Sequence, residues 1–182
     1  LAFEHSRRRR QIMQTETWKQ LSGTALLSDA KSLGTQATPE GGAIYAVGAS
    51  GACTGLRADW IIADDLITGH EQAANRTQLD KQWNWWISEA RSRGRPGHRE
   101  LLIGTRWSEF DALGRAIKLA EKGDEDWENV RIPMVCDDPE NDPLGRKLGQ
   151  RLAPSYFTAQ MVKDAKRNPL WWATLYQQRP AV

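Results

Sequence analysis

Short apolar runs punctuate the chain, and between them apolar residues recur at helical spacing. Residues 6–21 are mostly good helix formers, and Gly23 supplies a stop. Ala43-Ile44-Tyr45-Ala46-Val47, set between Gly42 and Gly48, predicts a short buried strand. A loop rich in Gly and Ser (48–55) follows, and then a second apolar strand, Trp60-Ile61-Ile62-Ala63, which ends abruptly on Asp64 and Asp65. Over residues 75–91, Leu79, Trp83, Trp86 and Ala90 fall at i, i+4, i+7 and i+11, one face of a helix.

The segment RSRGRPGHRE (91–100) predicts a basic loop, and Leu101-Leu102-Ile103-Gly104 a third buried strand. A helix is expected near residues 111–121, with Leu113, Ile117 and Ala120 on one side. Val130-Arg131-Ile132 predicts a fourth strand closed by Pro133, and the acidic, Pro-containing stretch 136–149 a loop. Two short helices end the chain. Ser155 is a cap residue for the first, and Asn168-Pro169 opens the second. Apolar strands alternating with amphipathic helices predict an α/β fold, a mostly parallel sheet flanked by helices.

Composition narrows the picture. At 182 residues the chain suits one compact domain, and 25 Lys and Arg against 23 Asp and Glu leave a net charge of +2. That balance excludes a uniformly basic nucleic-acid coat, though not a local patch. Cys53 and Cys136 show no CxxC spacing, so reduced thiols in a cytoplasmic protein are expected. No apolar run approaches the roughly 18 residues that cross a bilayer. The opening LAFEHSRRRR lacks the apolar segment of a signal peptide. The first residue is Leu rather than Met, so a section of a longer polypeptide is expected.

Candidate chemistry concentrates at two strand ends. A hydrophobic strand that delivers Asp64 and Asp65 at its C-terminal end puts carboxylates where open α/β sheets bind ligands. In a nucleoside-triphosphatase one acid there holds Mg²⁺ and its neighbour polarises the attacking water. Adjacent strand residues point to opposite sides, so the two need not share a role. The plainer alternative is that they start a turn or cap the next helix. Some forty residues later Leu101–Trp107 repeats the architecture: Thr105 offers a hydroxyl for a phosphate oxygen or a water, and Arg106 charge-assisted bonds to phosphate or to the acids. Here too a plain alternative stands, a helix-opening Thr and a surface salt bridge.

With these residues in order, the chain resembles the large terminase subunit of tailed bacteriophages, an ATP-driven motor that packages and cuts DNA. The resemblance rests on GAIYAVGASGACTGLRADWIIADDLITG (42–69), LLIGTRWSEFDALGR (101–115), DPLGRKLGQRLAP (142–154) and WWATLYQQRP (171–180). It implies an additional-strand P-loop ATPase core, with residues 1–150 the later part of the ATPase domain and 151–182 a helical linker toward a nuclease domain. By position Asp64 matches the Walker B acid that holds Mg²⁺ and Asp65 the catalytic carboxylate. Gly104, Thr105 and Arg106 match the motif coupling phosphate state to DNA movement. The implied cofactors are ATP and Mg²⁺. The implied partners are double-stranded DNA, the procapsid portal protein, a small terminase subunit and further copies in a homo-oligomeric ring. The implied setting is the cytoplasm of an infected or lysogenic bacterium, at the portal.

The departures are specific. No GxxxxGK[ST] occurs in the chain, so the Walker A strand and loop are missing from it. Some relatives carry a trans-acting arginine where Thr54 stands, with Arg57 the nearest substitute, and Ser108 replaces a frequent His. The alternatives are a helicase-like ATPase fragment and a non-catalytic nucleic-acid-binding or scaffolding module. Arg7–Arg10 point around most of a helix, so a solvated face or an inter-subunit contact is expected there. Arg91, Arg93, Arg95 and Arg99 are better placed to meet DNA phosphates. Most of the nine tryptophans suit packing, with Trp85, off the helix stripe, the expected exposed aromatic.

Overall fold

A computed structural model describes residues 2–29 and 32–180. The chain divides into two compact units, Leu1–Arg57 and Ala58–Val182.

The first unit holds helices α1 (Ala2–Met13) and α2 (Glu16–Ser22) and an antiparallel ribbon of β1 (Thr35–Ala37) and β2 (Ala43–Tyr45). The single helix expected over 6–21 is two. Thr15 takes an extended conformation (φ −74°, ψ 150°), and its hydroxyl accepts from the Trp18 N–H at 3.1 Å, capping α2. Gly23 ends α2 at φ 70°, where a left-handed turn favours glycine. β2 is exposed at all three residues, so the expected buried strand is a surface ribbon. Its partner β1 is too short to leave a periodic signal.

The second unit opens with β3 (Ala58–Asp64) and α3 (His70–Ala74). α4 (Arg76–Trp85) runs on through a π-helical turn (Trp86–Ala90) and a 3-10 turn (Arg91–Arg93) into β4 (Gly94–Ile103). α5 (Ala112–Lys122), α6 (Ala159–Ala165) and α7 (Pro169–Trp171), continued by a second π-helical turn (Trp172–Tyr176), complete it. β3 and β4 pair in parallel, with Ile62 opposite Leu101 and Asp64 opposite Ile103. The fold is thus mixed α/β, with a small parallel sheet and flanking helices.

The helical stripe is as the spacing predicts. Trp86 is fully buried and packs with Ala63 and Ala90, and Ile61, Trp83, Leu102 and Trp127 close around them. Trp85 is half-buried and packs against the same cluster, contrary to the exposure expected of it. The two apolar strands are not buried on both faces. Ile61 and Ala63 face inward, whereas Trp60, Ile62, Leu101 and Ile103 are each 41–60% exposed on the other face.

Four further expectations are corrected. The basic loop over 91–100 is mostly strand, held to β3 by pairing that starts at Ala58 and Gly94. Residues 130–132 form no strand. The chain beyond them is tied by single backbone bonds, Met134 N–H to Tyr176 C=O and Leu152 N–H to Met134 C=O, both 2.7 Å. Thr158, not Ser155, caps α6, accepting from the Met161 N–H at 3.2 Å. The sheet predicted as mostly parallel is two separate two-stranded sheets, one of them antiparallel. Asn168 does cap α7, with Pro169 in its first turn.

Candidate functional site

β3 and β4 deliver their C-terminal ends side by side. Beyond Asp64, the Asp65 N–H still donates to the Ile103 carbonyl at 3.0 Å. Asp65 then turns off the sheet at φ 45°, a left-handed conformation that aspartate tolerates better than most residues and that recurs at functional sites. The turn carries its carboxylate across to Gly104: a Cβ there would stand 3.4 Å from Asp65 Oδ1 and 3.4 Å from Leu113 Cδ1. Asp65, Gly104, Thr105 and Asp111 line one cleft, floored by Ala63 and Leu113. Its open volume is about 20 Å³, room for a single water molecule.

The structure brings together Asp65, Gly104 and Thr105 at this cleft, and the other predicted residues do not line it. Asp64 is exposed and, by strand alternation, shares the outward face with Trp60 and Ile62. Arg57 is exposed and closes the first unit. Arg106 is committed elsewhere: its Nε donates to both oxygens of Asp111 at 3.2 Å, and its Nη2 to the Ser108 carbonyl at 3.3 Å.

Asp111 is the residue that sequence reasoning missed. It is 3% exposed and caps α5 through the Gly114 N–H at 2.6 Å. The same carboxylate accepts from the Trp107 and Ser108 N–H groups at 3.0 and 3.1 Å. One buried anion therefore folds the whole 106–111 loop under Thr105. The available signal was an aspartate three residues before a glycine at the start of an amphipathic run. Gly114 is required in that place, since a Cβ would collide with the Glu109 carbonyl and lie 2.7 Å from Arg106 Nη2.

Of the two remaining motifs, the last reaches this loop and the other ties the segment near Pro133. Gln178, at φ 56°, accepts the Arg106 N–H at 2.9 Å through its Oε1. Gln177 lies against the Val135 backbone, accepting from its N–H and donating to its C=O at 3.0 Å each. Asp142 and Arg146 form a buried pair at 2.6 Å, and Arg146 Nη1 also donates to the Pro133 carbonyl at 2.8 Å. The Arg146 guanidinium, helped by the Leu144 and Arg146 N–H groups, holds the Asp142 carboxyl far below the usual carboxylate range.

The arginines expected to meet DNA phosphates are largely engaged. Arg91 bridges Glu100 and Glu125 at 2.9 and 3.0 Å, and its hydrogen bond holds the Glu125 carboxyl below its ordinary value. Arg95 faces Asp59 at 3.2 Å, and Arg99 lies 5.4 Å from the Trp60 ring centre. Among the described residues no group of three or more His, Cys, Asp or Glu side chains is arranged to hold a metal ion. No helix among them is long and apolar enough to cross a membrane. Against known proteins, no family model matches the chain, and neither does any curated protein.

Proposed function

We propose that this chain is a section of a large terminase subunit, bearing the Walker B acids and the coupling motif of an ATPase that drives phage DNA packaging. The observation that carries the reading is the parallel register of β3 and β4, which sets Asp65 and Thr105 around one water-sized cleft at the sheet's C-terminal end. The ordered motifs quoted above supply the family.

Asp65 accepts a hydrogen bond from the attacking water and aligns it on the γ-phosphorus of ATP, and ADP departs in line. The Thr105 hydroxyl donates to a phosphate oxygen, so its bonding changes when that phosphate leaves. Asp111 and Arg106 are positioning residues: they fix the loop that presents Thr105, and they connect it to the first turn of α5. Mg²⁺ takes one or two carboxylates and completes its shell with water and phosphate oxygens. The resemblance gives that role to Asp64, but its carboxylate lies on the strand face opposite Asp65 and Thr105, so the residues around the cleft do not by themselves fit the ion. The phosphate cradle has to come from another segment, because the 182 residues contain no GxxxxGK[ST]. Arg57 is the candidate for a trans contact to the next subunit of a ring. Double-stranded DNA, the portal protein and the small terminase subunit are the partners this reading assigns.

The test joins the chain to the upstream coding sequence. The 182 residues alone should show no ATPase activity above background. A polypeptide that includes the GxxxxGK[ST] segment should hydrolyse ATP, and Asp65→Asn should lower its kcat about a thousandfold with nucleotide binding retained. Full turnover by Asp65→Asn, or Mg²⁺-dependent turnover by the isolated 182 residues, overturns the assignment.

A further inference from the structure

The first unit carries a groove that the ATPase reading does not use. It has a volume of about 450 Å³ and lies along α1, lined by the apolar Ile12, Met13, Trp18 and Ile44 and by His5, Arg8 and Arg9. Ile12 is 54% and Ile44 41% exposed, so two large aliphatic side chains face water beside a pair of cations. The Trp18 indole N–H is buried and has no partner among the described residues, so what the indole offers the groove is ring carbon. These walls give a ligand apolar contact and almost no hydrogen-bond readout.

The cationic rim is built in. Arg9 Nε donates to Gln36 Oε1 at 2.8 Å and Arg9 Nη2 to Ser6 Oγ at 3.0 Å. Ser6 and Gln36 are themselves buried, at 0% and 1% exposure, and locked together by the Gln36 amide donating to the Ser6 carbonyl at 2.9 Å. Both acceptors are neutral. The half-buried guanidinium is thus aimed by a rigid network, carries no carboxylate partner among the described residues, and has its charged form disfavoured by burial. The charge bias extends over the unit: residues 1–57 contain seven Lys and Arg against four Asp and Glu, whereas residues 58–182 contain 18 against 19.

We propose that this groove docks an acidic amphipathic helix of a partner protein, with leucine-like side chains on Ile12, Met13, Trp18 and Ile44 and a carboxylate on Arg9. The apolar walls favour a helix over a nucleic acid, whose backbone would leave Ile12 and Ile44 in water. A carboxylate reaching Arg9 gives the guanidinium the counter-charge its surroundings lack.

The probe is a fluorescein-labelled peptide of about 16 residues with leucines at i, i+3, i+4 and i+7 and glutamates along the flank. Its binding to the full chain is read by fluorescence anisotropy at physiological salt. Expected is a Kd in the range of about 1–100 μM, weakened about tenfold or more by Ile44→Glu and about fivefold by Arg8→Glu. Arg7→Glu, at an exposed position outside the groove, should leave it within about twofold. Hydrogen-exchange protection of residues 5–18 on adding the peptide to unmutated protein gives a readout that needs no variant. Four outcomes overturn the proposal: no binding at about 1 mM peptide, equal binding when serines replace the leucines, insensitivity to Ile44→Glu, or tighter binding of a single-stranded oligonucleotide of equal charge.

Discussion

Replacing Asp111 by alanine removes one acceptor carboxylate and leaves four donors without it at once. The carboxylate accepts from Arg106 Nε and from the N–H groups of Trp107, Ser108 and Gly114, between 2.6 and 3.2 Å. Summing charged hydrogen bonds at about 1.5–3 kcal/mol each would overshoot, because water reaches some of the freed N–H groups. The lost helix cap alone costs about 1 kcal/mol. The larger part is Arg106, only 15% exposed and left without its counter-ion; breaking such a pair from one side costs about 3–5 kcal/mol. A total of about 4–6 kcal/mol follows, a fall in Tm of about 10–25 °C for a unit of this size. Asp111→Ser keeps an oxygen for the Gly114 N–H but none for Arg106, so it should recover only about 1 kcal/mol. The assay is thermal and urea unfolding by circular dichroism, with amide exchange at Trp107 and Ser108 as the local readout. A loss under about 1 kcal/mol for Asp111→Ala, or full recovery by Asp111→Ser, would refute the claim that this carboxylate organises the loop.

On the proposed terminase reading, Thr105→Val preserves shape and removes the hydroxyl, so in a full-length protein that includes the upstream segment DNA translocation should fall far more than ATPase rate; equal losses in the two assays would count against a coupling role. The Asp142 carboxyl titrates below its unfolded value near 3.9, so its stabilisation is fully present above that pH and is lost as pH falls through and beneath the usual carboxylate range. Acid unfolding followed by circular dichroism should accordingly show a steeper loss below about pH 4 in the wild type than in Asp142→Asn, which starts less stable at pH 7. Gly114→Ala should destabilise the chain measurably in urea, since its Cβ meets the Glu109 carbonyl, whereas Gly55→Ala meets no atom within 4 Å and is opposed only by its φ of 80°.

Helical elements were legible where spacing and capping agreed. The Leu79, Trp83, Trp86 and Ala90 stripe, the Gly23 stop and the Asn168-Pro169 start are local signals, set by residues within a turn or two, and each stands where the pattern put it. The strand cores at Trp60–Ala63 and Leu101–Ile103 were legible for the same reason, as was the delivery of acids and a threonine at their ends.

What local pattern could not decide was set by partners distant in the chain. An apolar run reads alike whether one face or both are covered, and only the packing of Trp86 and Ala90 on Ala63 shows which side of β3 is buried. The length of β4 depends on pairing with Ala58 and Trp60, so the Arg-rich stretch became strand where its Gly and Pro residues signalled loop. Trp85, off the helical stripe, is half-buried against the cluster of Ala63, Trp86 and Ala90, a contact that the spacing alone does not contain. The role of Asp111 is visible only once residues 106–111 curl around it, and the tie from Gln178 to Arg106 spans 72 residues. The sequence by itself determined which chemistry stands at the strand ends. The tertiary structure decided that Asp65 and Thr105 share a cleft while Asp64 faces the other way, because parallel register and side-chain alternation are properties of the paired strands.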